Sequence, residues 1–269
     1  MTVRFMKMHG AGNDFILVDD RAETMPTDRA TLAALAARRT GIGCEGVILV
    51  QPSRVADFRM RFFNPDGGEA ELCGNGARCV AAFARAVGAA TGPSMRFETR
   101  AGEVRAEVVD TATVKVWMPA PKDLRDGFVN SGVPHAVVPV ADLAAADVAG
   151  EGRRIRYSAA FAPAGTNVDF VAYAPPHGAA MRTYERGVEG ESGACGTGAV
   201  AAAVVGVAQH GMAFPVRIRT TEGHELVVDG TRTADGGFAD VTLTGPVKTV
   251  FTGEMDLDSV AGTDGCSRR

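Results

Sequence analysis

The pentapeptide Cys73-Gly74-Asn75-Gly76-Ala77 recurs as Cys195-Gly196-Thr197-Gly198-Ala199, and each copy opens an apolar run that reads as a helix. A thiol set at a helix N-terminus by a glycine-rich turn meets unpaired N–H groups and a partial positive charge, which favour the thiolate. A free thiol of pKa about 8.5 is only a few per cent ionised at neutral pH, so a modest fall makes it a useful base. The glycines let backbone N–H groups approach an anion closely, as a substrate carboxylate requires. One thiol and one anion cradle per copy form a matched acid/base pair. Such a pair is what moving a proton between two faces of one carbon needs. Buried structural cysteines in glycine-rich turns would account for either copy alone, but less well for two in matching places of a repeat.

Polar residues precede each cysteine: Phe63-Asn64-Pro65-Asp66-Gly67-Gly68-Glu69 before the first and Tyr184-Glu185-Arg186-Gly187 before the second. Asn64 and Arg186 fit a grip on a zwitterion, guanidinium to carboxylate and amide to carboxylate or ammonium. Asp66 to Gly68 reads as a turn. Glu185 and His135 are the candidates for steering a thiol proton.

The elements that must position these groups show a duplication. Cys73 and Cys195 are offset by 122, and the strand-like segments around Phe97 and Ile218 by 121. The loop and strand Gly12–Val18 matches Gly132–Val138 at 120, and the runs Val114–Met118 and Val241–Leu243 each end near a proline. The alternation around Gly102 and Gly223 predicts paired strands. Gly196 to Gln209 holds no charge and Ala77 to Ala90 holds only Arg78 and Arg85, so each helix should be wrapped by other structure. The expected fold is therefore α+β: two pseudo-symmetric lobes, each a curved mixed or antiparallel β-sheet around a central α-helix. The lobes are expected at 1–119 and 120–248, with strand 249–255 joining the first. A loose tail is expected over 256–269.

The 269 residues carry a formal net charge of −4, with 46% apolar and 22% charged residues. This is an ordinary globular composition without a basic stripe, which argues against a nucleic-acid ligand. No apolar segment reaches the roughly 18–20 residues of a membrane span, and the first residues lack a secretory signal, so a cytoplasmic setting is expected. The cysteines at 44, 73, 79, 195 and 266 show no Cys-x-x-Cys spacing, and no metal site is expected. Cys44 and Cys79 read as small buried hydrophobes and Cys266 as a tail residue. Lysines occur only at 7, 115, 122 and 248, away from the cysteine blocks, which disfavours a pyridoxal phosphate enzyme.

From about Met6 to Gly253 the chain resembles the diaminopimelate epimerases. The resemblance is carried by Lys7-Met8-His9-Gly10-Ala11-Gly12-Asn13-Asp14-Phe15, by Phe63-Asn64 through Cys73-Gly74-Asn75-Gly76-Ala77-Arg78-Cys79, by Tyr184-Glu185-Arg186-Gly187 and by Ala194-Cys195-Gly196-Thr197-Gly198. It implies a cofactor-independent interconversion of LL- and meso-diaminopimelate, in lysine and peptidoglycan precursor synthesis, with two lobes closing on a small amino-acid substrate. Cys73 and Cys195 would be the thiolate/thiol pair, with roles that swap with direction, and His135 and Glu185 would tune them. Asn13, Asn64, Asn167, Glu185 and Arg186 would hold substrate. Backbone donors of Gly74, Asn75, Gly196 and Thr197 would meet the reacting carboxylate. A homodimer is what the family implies.

One departure stands out. The family commonly has asparagine where this chain has Val133, so one substrate hydrogen bond is lost, supplied elsewhere or not needed. The stretch Thr40 to Gly46 also departs from the family's usual wording, which bears on Gly46 as a contact. Two other readings therefore remain: a racemase of another amino acid on the same scaffold, and a non-catalytic two-lobed amino-acid-binding protein. If the two thiols meet across one carbon, oxidation should be able to join them.

Overall fold

The computed structural model describes residues 1–261. The described residues divide into two compact units, 1–114 with 247–261, and 115–246.

In the first unit the order is β1 (Thr2–Gly10), β2 (Asn13–Asp19), α1 (Arg29–Ala36), β3 (Gly46–Gln51), β4 (Phe58–Phe63), β5 (Glu69–Ala70), α2 (Gly74–Ala86), β6 (Ser94–Thr99) and β7 (Gly102–Val108). β1–β2, β3–β4, β4–β5 and β6–β7 pair antiparallel, whereas β2–β3 and β4–β6 pair parallel. The parallel joins are the ones bridged by α1 and α2, as crossover connections require.

β8 (Thr113–Trp117) leads into the second unit, where the order repeats: β9 (Lys122–Arg125), β10 (Phe128–Asn130), β11 (Pro134–Pro139), α3 (Val148–Arg156), β12 (Asn167–Ala174), β13 (Gly178–Glu185), β14 (Gly190–Ser192), α4 (Gly196–Gln209), β15 (Val216–Arg219), β16 (Glu225–Arg232) and β17 (Phe238–Asp256). The pairings repeat as well, with β11–β12 and β13–β15 parallel and β10–β11, β12–β13, β13–β14 and β15–β16 antiparallel. The early part of β17 pairs with β16, and its later part, from Val247, pairs with β1 of the first unit. A short α5 (Leu257–Ala261) follows.

Each unit is a mixed sheet around one helix. α2 packs on β1, β2, β3 and β7, and α4 on β10 to β13, β15 and β16. The uncharged sequence of α4 has the burial it calls for: Gly196 and every residue from Gly198 to Gly206 are buried. On the opposite face, α1 covers β3 and α3 covers β12 and β13. Strands covered on both faces read as unbroken apolar runs, which is why all six residues of β3 (GVILVQ) are buried.

The C-terminal segment corrects an expectation. Residues 256–261 are not loose: Leu257 is buried against α1's Leu32 and Leu35, and the N-terminal ammonium pairs with Asp256 and Asp258. The remaining tail residues, Cys266 among them, lie outside the described residues. No helix among the described residues is long and apolar enough to cross a membrane.

Candidate active site

Cys73 and Cys195 are the N-caps of α2 and α4, both in extended backbone conformation (φ −128° and −117°). Each cysteine's carbonyl accepts the first intrahelical bond, from Ala77 N–H at 2.7 Å and Ala199 N–H at 2.9 Å. The amides of Gly74 and Asn75, and of Gly196 and Thr197, therefore head their helices, where donors face outward and negative charge is favoured. The glycine at the third helical position is required by contact. A Cβ on Gly76 would lie 3.0 Å from Ile48 Cδ1, and one on Gly198 would lie 2.5 Å from Asp169 Oδ1.

The surroundings of the two thiols differ. In the first unit the Gly76 N–H donates to Cys73 Sγ at 3.5 Å. One turn further, Arg78 is fully buried and gives Nη2 to Asn75 Oδ1 at 2.8 Å and Nη1 to the Gly74 carbonyl at 3.4 Å, while its Nε is buried without a hydrogen-bond partner. Burial holds this guanidinium below its ordinary pKa, and the charges of Cys79 and Cys73 act in the opposite direction. A buried cation thus stands behind Cys73.

In the second unit the thiol meets acids. Cys195 is 8% exposed, and its pKa is pushed well above the ordinary thiol value by burial, then by the charges of Glu185 and Asp169, against weaker help from Thr197 and the Gly198 amide. Desolvation and two carboxylates therefore act against the helix terminus at Cys195. Glu185 is itself raised, chiefly by burial.

His135 is fully buried and joins this group through a third residue. Its Nδ1 lies 2.7 Å from Asp169 Oδ2 and its Nε2 lies 2.9 Å from Thr197 Oγ1, which in turn lies 3.5 Å from Cys195 Sγ. Thr183 Oγ1 donates to Asp169 Oδ1 at 2.8 Å. Asp169 and Thr183 were missed in the sequence, where they sit inside the apolar-looking strands β12 and β13; a carboxylate within a run of buried positions was the only signal.

The proposed substrate ligands are held in different ways. Asn13 gives its Nδ2 to Glu45 at 2.6 Å, leaving a buried Oδ1 without a hydrogen-bond partner. Glu45 belongs to an ionic group with Arg38, Asp14 and the buried Lys7. Asn167 spends its amide on the scaffold, donating to the Pro134 carbonyl at 3.0 Å and accepting the Arg186 N–H at 2.8 Å. It sets the backbone of Arg186, whose guanidinium reaches the Ala164 carbonyl at 3.4 Å. Asn64 is exposed at the start of a tight turn, its N–H bonded to the Gly68 carbonyl, with Gly67 at φ +77°. Val133 contributes its carbonyl to Ser131 N–H. Cys44 and Cys79 are buried, and desolvation raises them to about 11 and about 12, which suits inert packing. Among the described residues no cluster of His, Cys, Asp and Glu could hold a metal.

The fold is shared with solved structures of low sequence identity. A PhzF-family phenazine biosynthesis protein of Bacillus anthracis superposes with a TM-score of 0.74 at 18% identity, covering 95% of this chain and 99% of that one. A probable proline racemase of Agrobacterium radiobacter gives 0.68 at 19%, covering 95% and 93%. The sequence narrows the class. The diaminopimelate epimerase profile matches residues 5–122 and 127–249. The diaminopimelate epimerase of Chlorobaculum tepidum is 40% identical over 261 residues (93% of this chain, all of that one), and that of Aquifex aeolicus is 40% identical over 278 (94% and 98%). The chain belongs to the diaminopimelate epimerase family.

Proposed function

We propose that this protein interconverts LL- and meso-2,6-diaminopimelate by two-base proton transfer at Cα, with Cys73 and Cys195 as the pair and no cofactor. The observation that carries this reading is the matched placement of two thiols at the heads of two buried helices, in a chain about 40% identical to diaminopimelate epimerases along nearly its whole length. The two electrostatic settings divide the labour. Cys73, beside a buried guanidinium and an N–H donor, is equipped to hold negative charge. Cys195, among carboxylates, is equipped to hold a proton. In the forward sense Cys73 takes the α-proton while Cys195 delivers its own to the opposite face, and the roles exchange on reversal. Donors at the two helix N-termini meet the carboxylate on which charge develops. General acid/base participation of this kind contributes about 10²–10⁴-fold per group.

Arg186 and Asn64 would hold the remote carboxylate and ammonium. The buried, unpartnered Oδ1 of Asn13 suits an ammonium donor, because its amide nitrogen is committed to Glu45. The reaction belongs to lysine and peptidoglycan precursor synthesis, and we place the protein in the cytoplasm as a homodimer, which light scattering tests. The deciding experiment presents LL-diaminopimelate, proline and histidine separately in D2O. Deuterium should enter Cα of diaminopimelate alone. Val133 motivates the alternative of another amino acid, and exchange into proline or histidine instead would select it. Full turnover by Cys73→Ala would overturn the catalytic assignment of that thiol and favour the non-catalytic two-lobed amino-acid-binding protein.

A further inference from the structure

The two units differ at one buried place, and the difference is chemical. Strand registers set the correspondence: Phe15 pairs with Gly46 in β2–β3 as His135 pairs with Asn167 in β11–β12, and Ile48 pairs with Phe62 in β3–β4 as Asp169 pairs with Thr183 in β12–β13. The glycine contacts agree, since Gly76 meets Ile48 and Met60 where Gly198 meets Asp169 and Met181. Phe15, Ile48 and Phe62 are thus the counterparts of His135, Asp169 and Thr183. The first set is an apolar cluster with an edge-on Phe15–Phe62 contact; the second is a hydrogen-bonded polar set in an equally buried place. Packing does not require the polar set, because the same fold fills the site with hydrocarbon. Burying three polar side chains, one of them a carboxyl group, has a cost that an apolar core avoids.

We propose that Asp169, His135 and the Thr197 hydroxyl form an internal proton relay that loads and unloads Cys195. This rests on the two-thiol reading above and assigns Thr197 a side-chain role besides its backbone amide. The donors run in one order. With Nδ1–H of His135 given to Asp169 Oδ2, Nε2 accepts from the Thr197 hydroxyl, whose oxygen accepts the Cys195 S–H. When Cys195 must act as a base, its proton passes to Thr197 Oγ1 as the threonine proton passes to His135 Nε2. One S–H bond is replaced by one N–H bond, leaving a thiolate and an imidazolium held by Asp169. The reverse shift returns the proton. The groups bearing on Cys195 are Asp169 from β12, His135 from β11 and Glu185 from β13. In the first unit the counterparts of His135 and Asp169 are the apolar Phe15 and Ile48.

The test compares Thr197→Val with Thr197→Ser, because both keep the backbone amide and only the first removes the hydroxyl. In the diaminopimelate assay Thr197→Val should lower kcat at least tenfold in both directions with KM within threefold, and Thr197→Ser should recover most of the loss. In a second measurement, independent of any substrate, iodoacetamide labelling of the Cys195 and Cys73 peptides is followed against pH by mass spectrometry. Thr197→Val should move the Cys195 midpoint to higher pH and leave that of Cys73 in place. Failure of the wild type on diaminopimelate would overturn the substrate while leaving the labelling test intact. Unchanged Cys195 labelling in Thr197→Val, or a serine variant as impaired as the valine one, would overturn the relay.

Discussion

Replacing Asp169 by leucine, a residue of similar shape, is the sharpest test of the buried polar set. Asp169 accepts from His135 at 2.7 Å and from Thr183 at 2.8 Å, and all three residues are at most 2% exposed. The substitution strands two buried polar groups, each costing about 1–3 kcal/mol. The expected loss is therefore about 2–6 kcal/mol, or a fall in Tm of very roughly 10 °C at about 2–4 °C per kcal/mol for a chain of this size. The triple variant His135→Leu, Asp169→Leu, Thr183→Val removes the three mutually bonded residues together, as the first unit does with Phe15, Ile48 and Phe62, and leaves the Thr197 hydroxyl with Cys195 as its partner. It should recover to within about 2 kcal/mol of wild type, although catalysis is lost, because replacing a whole buried polar group is far less costly than halving it. Thermal and urea melts of the single and combined variants measure the coupling. An Asp169→Leu protein melting within about 2 °C of wild type would refute the reasoning, as would a triple variant as unstable as the sum of its parts.

Four other outcomes follow from the same geometry. Gly198→Ala places a Cβ 2.5 Å from the anchored Asp169 Oδ1, so it should displace the carboxylate and cut kcat at least tenfold, read from epimerization rates. Arg78→Met removes the buried cation behind Cys73 and should shift the pH midpoint of Cys73 labelling upward, by an amount that salt scarcely alters because the charge is buried. Glu45→Ala removes the acceptor that holds the Asn13 amide nitrogen, and should raise KM several-fold with little change in kcat. Asp14 is held below the ordinary carboxylate range: burial raises it, but the bonds and charges of Lys7 and Arg38 win. A depressed carboxylate lends stability that is full above its unfolded pKa and disappears as pH falls through the folded one, so Asp14→Asn should flatten the acid limb of a Tm–pH curve below about pH 4.

Much of this was legible because duplication writes the same signal twice. The offsets of 120 to 122 correspond to matched strands in matched registers, and the charge-free run after Cys195 corresponds to a helix enclosed by its own sheet. Tail residues 256–261 were misjudged because Leu257 is one apolar residue in a polar segment, and a single anchor leaves no periodicity to read. The direction of the Cys195 shift was not legible either. A helix N-terminus is a local feature, whereas Asp169 and Glu185 arrive from strands 26 and 10 residues earlier in the chain. Composition could not reveal that Asn167 is occupied by backbone partners while Asn13 keeps an acceptor in reserve.

The duplicated scaffold solves only half of a two-base problem. Symmetry delivers two thiols with equal backbone settings, but equal thiols would both be protonated or both ionised over most of the pH range. One proton must be shared unequally before a substrate arrives. The chain breaks its own symmetry at the positions that touch each helix head: Asn75 and Arg78 beside one thiol, Thr197 and Val200 beside the other, with Glu185 and Asp169 acting on the second. A cation behind Cys73 and anions around Cys195 point the shared proton the same way. Exchanging position 78 with its counterpart, as Arg78→Val with Val200→Arg, should therefore do more than impair the enzyme. It should draw the labelling midpoints of the two cysteines towards one another, because the new cation lies among the carboxylates and the old one is gone. Midpoints that stay apart would mean that the asymmetry arises elsewhere than at the helix heads.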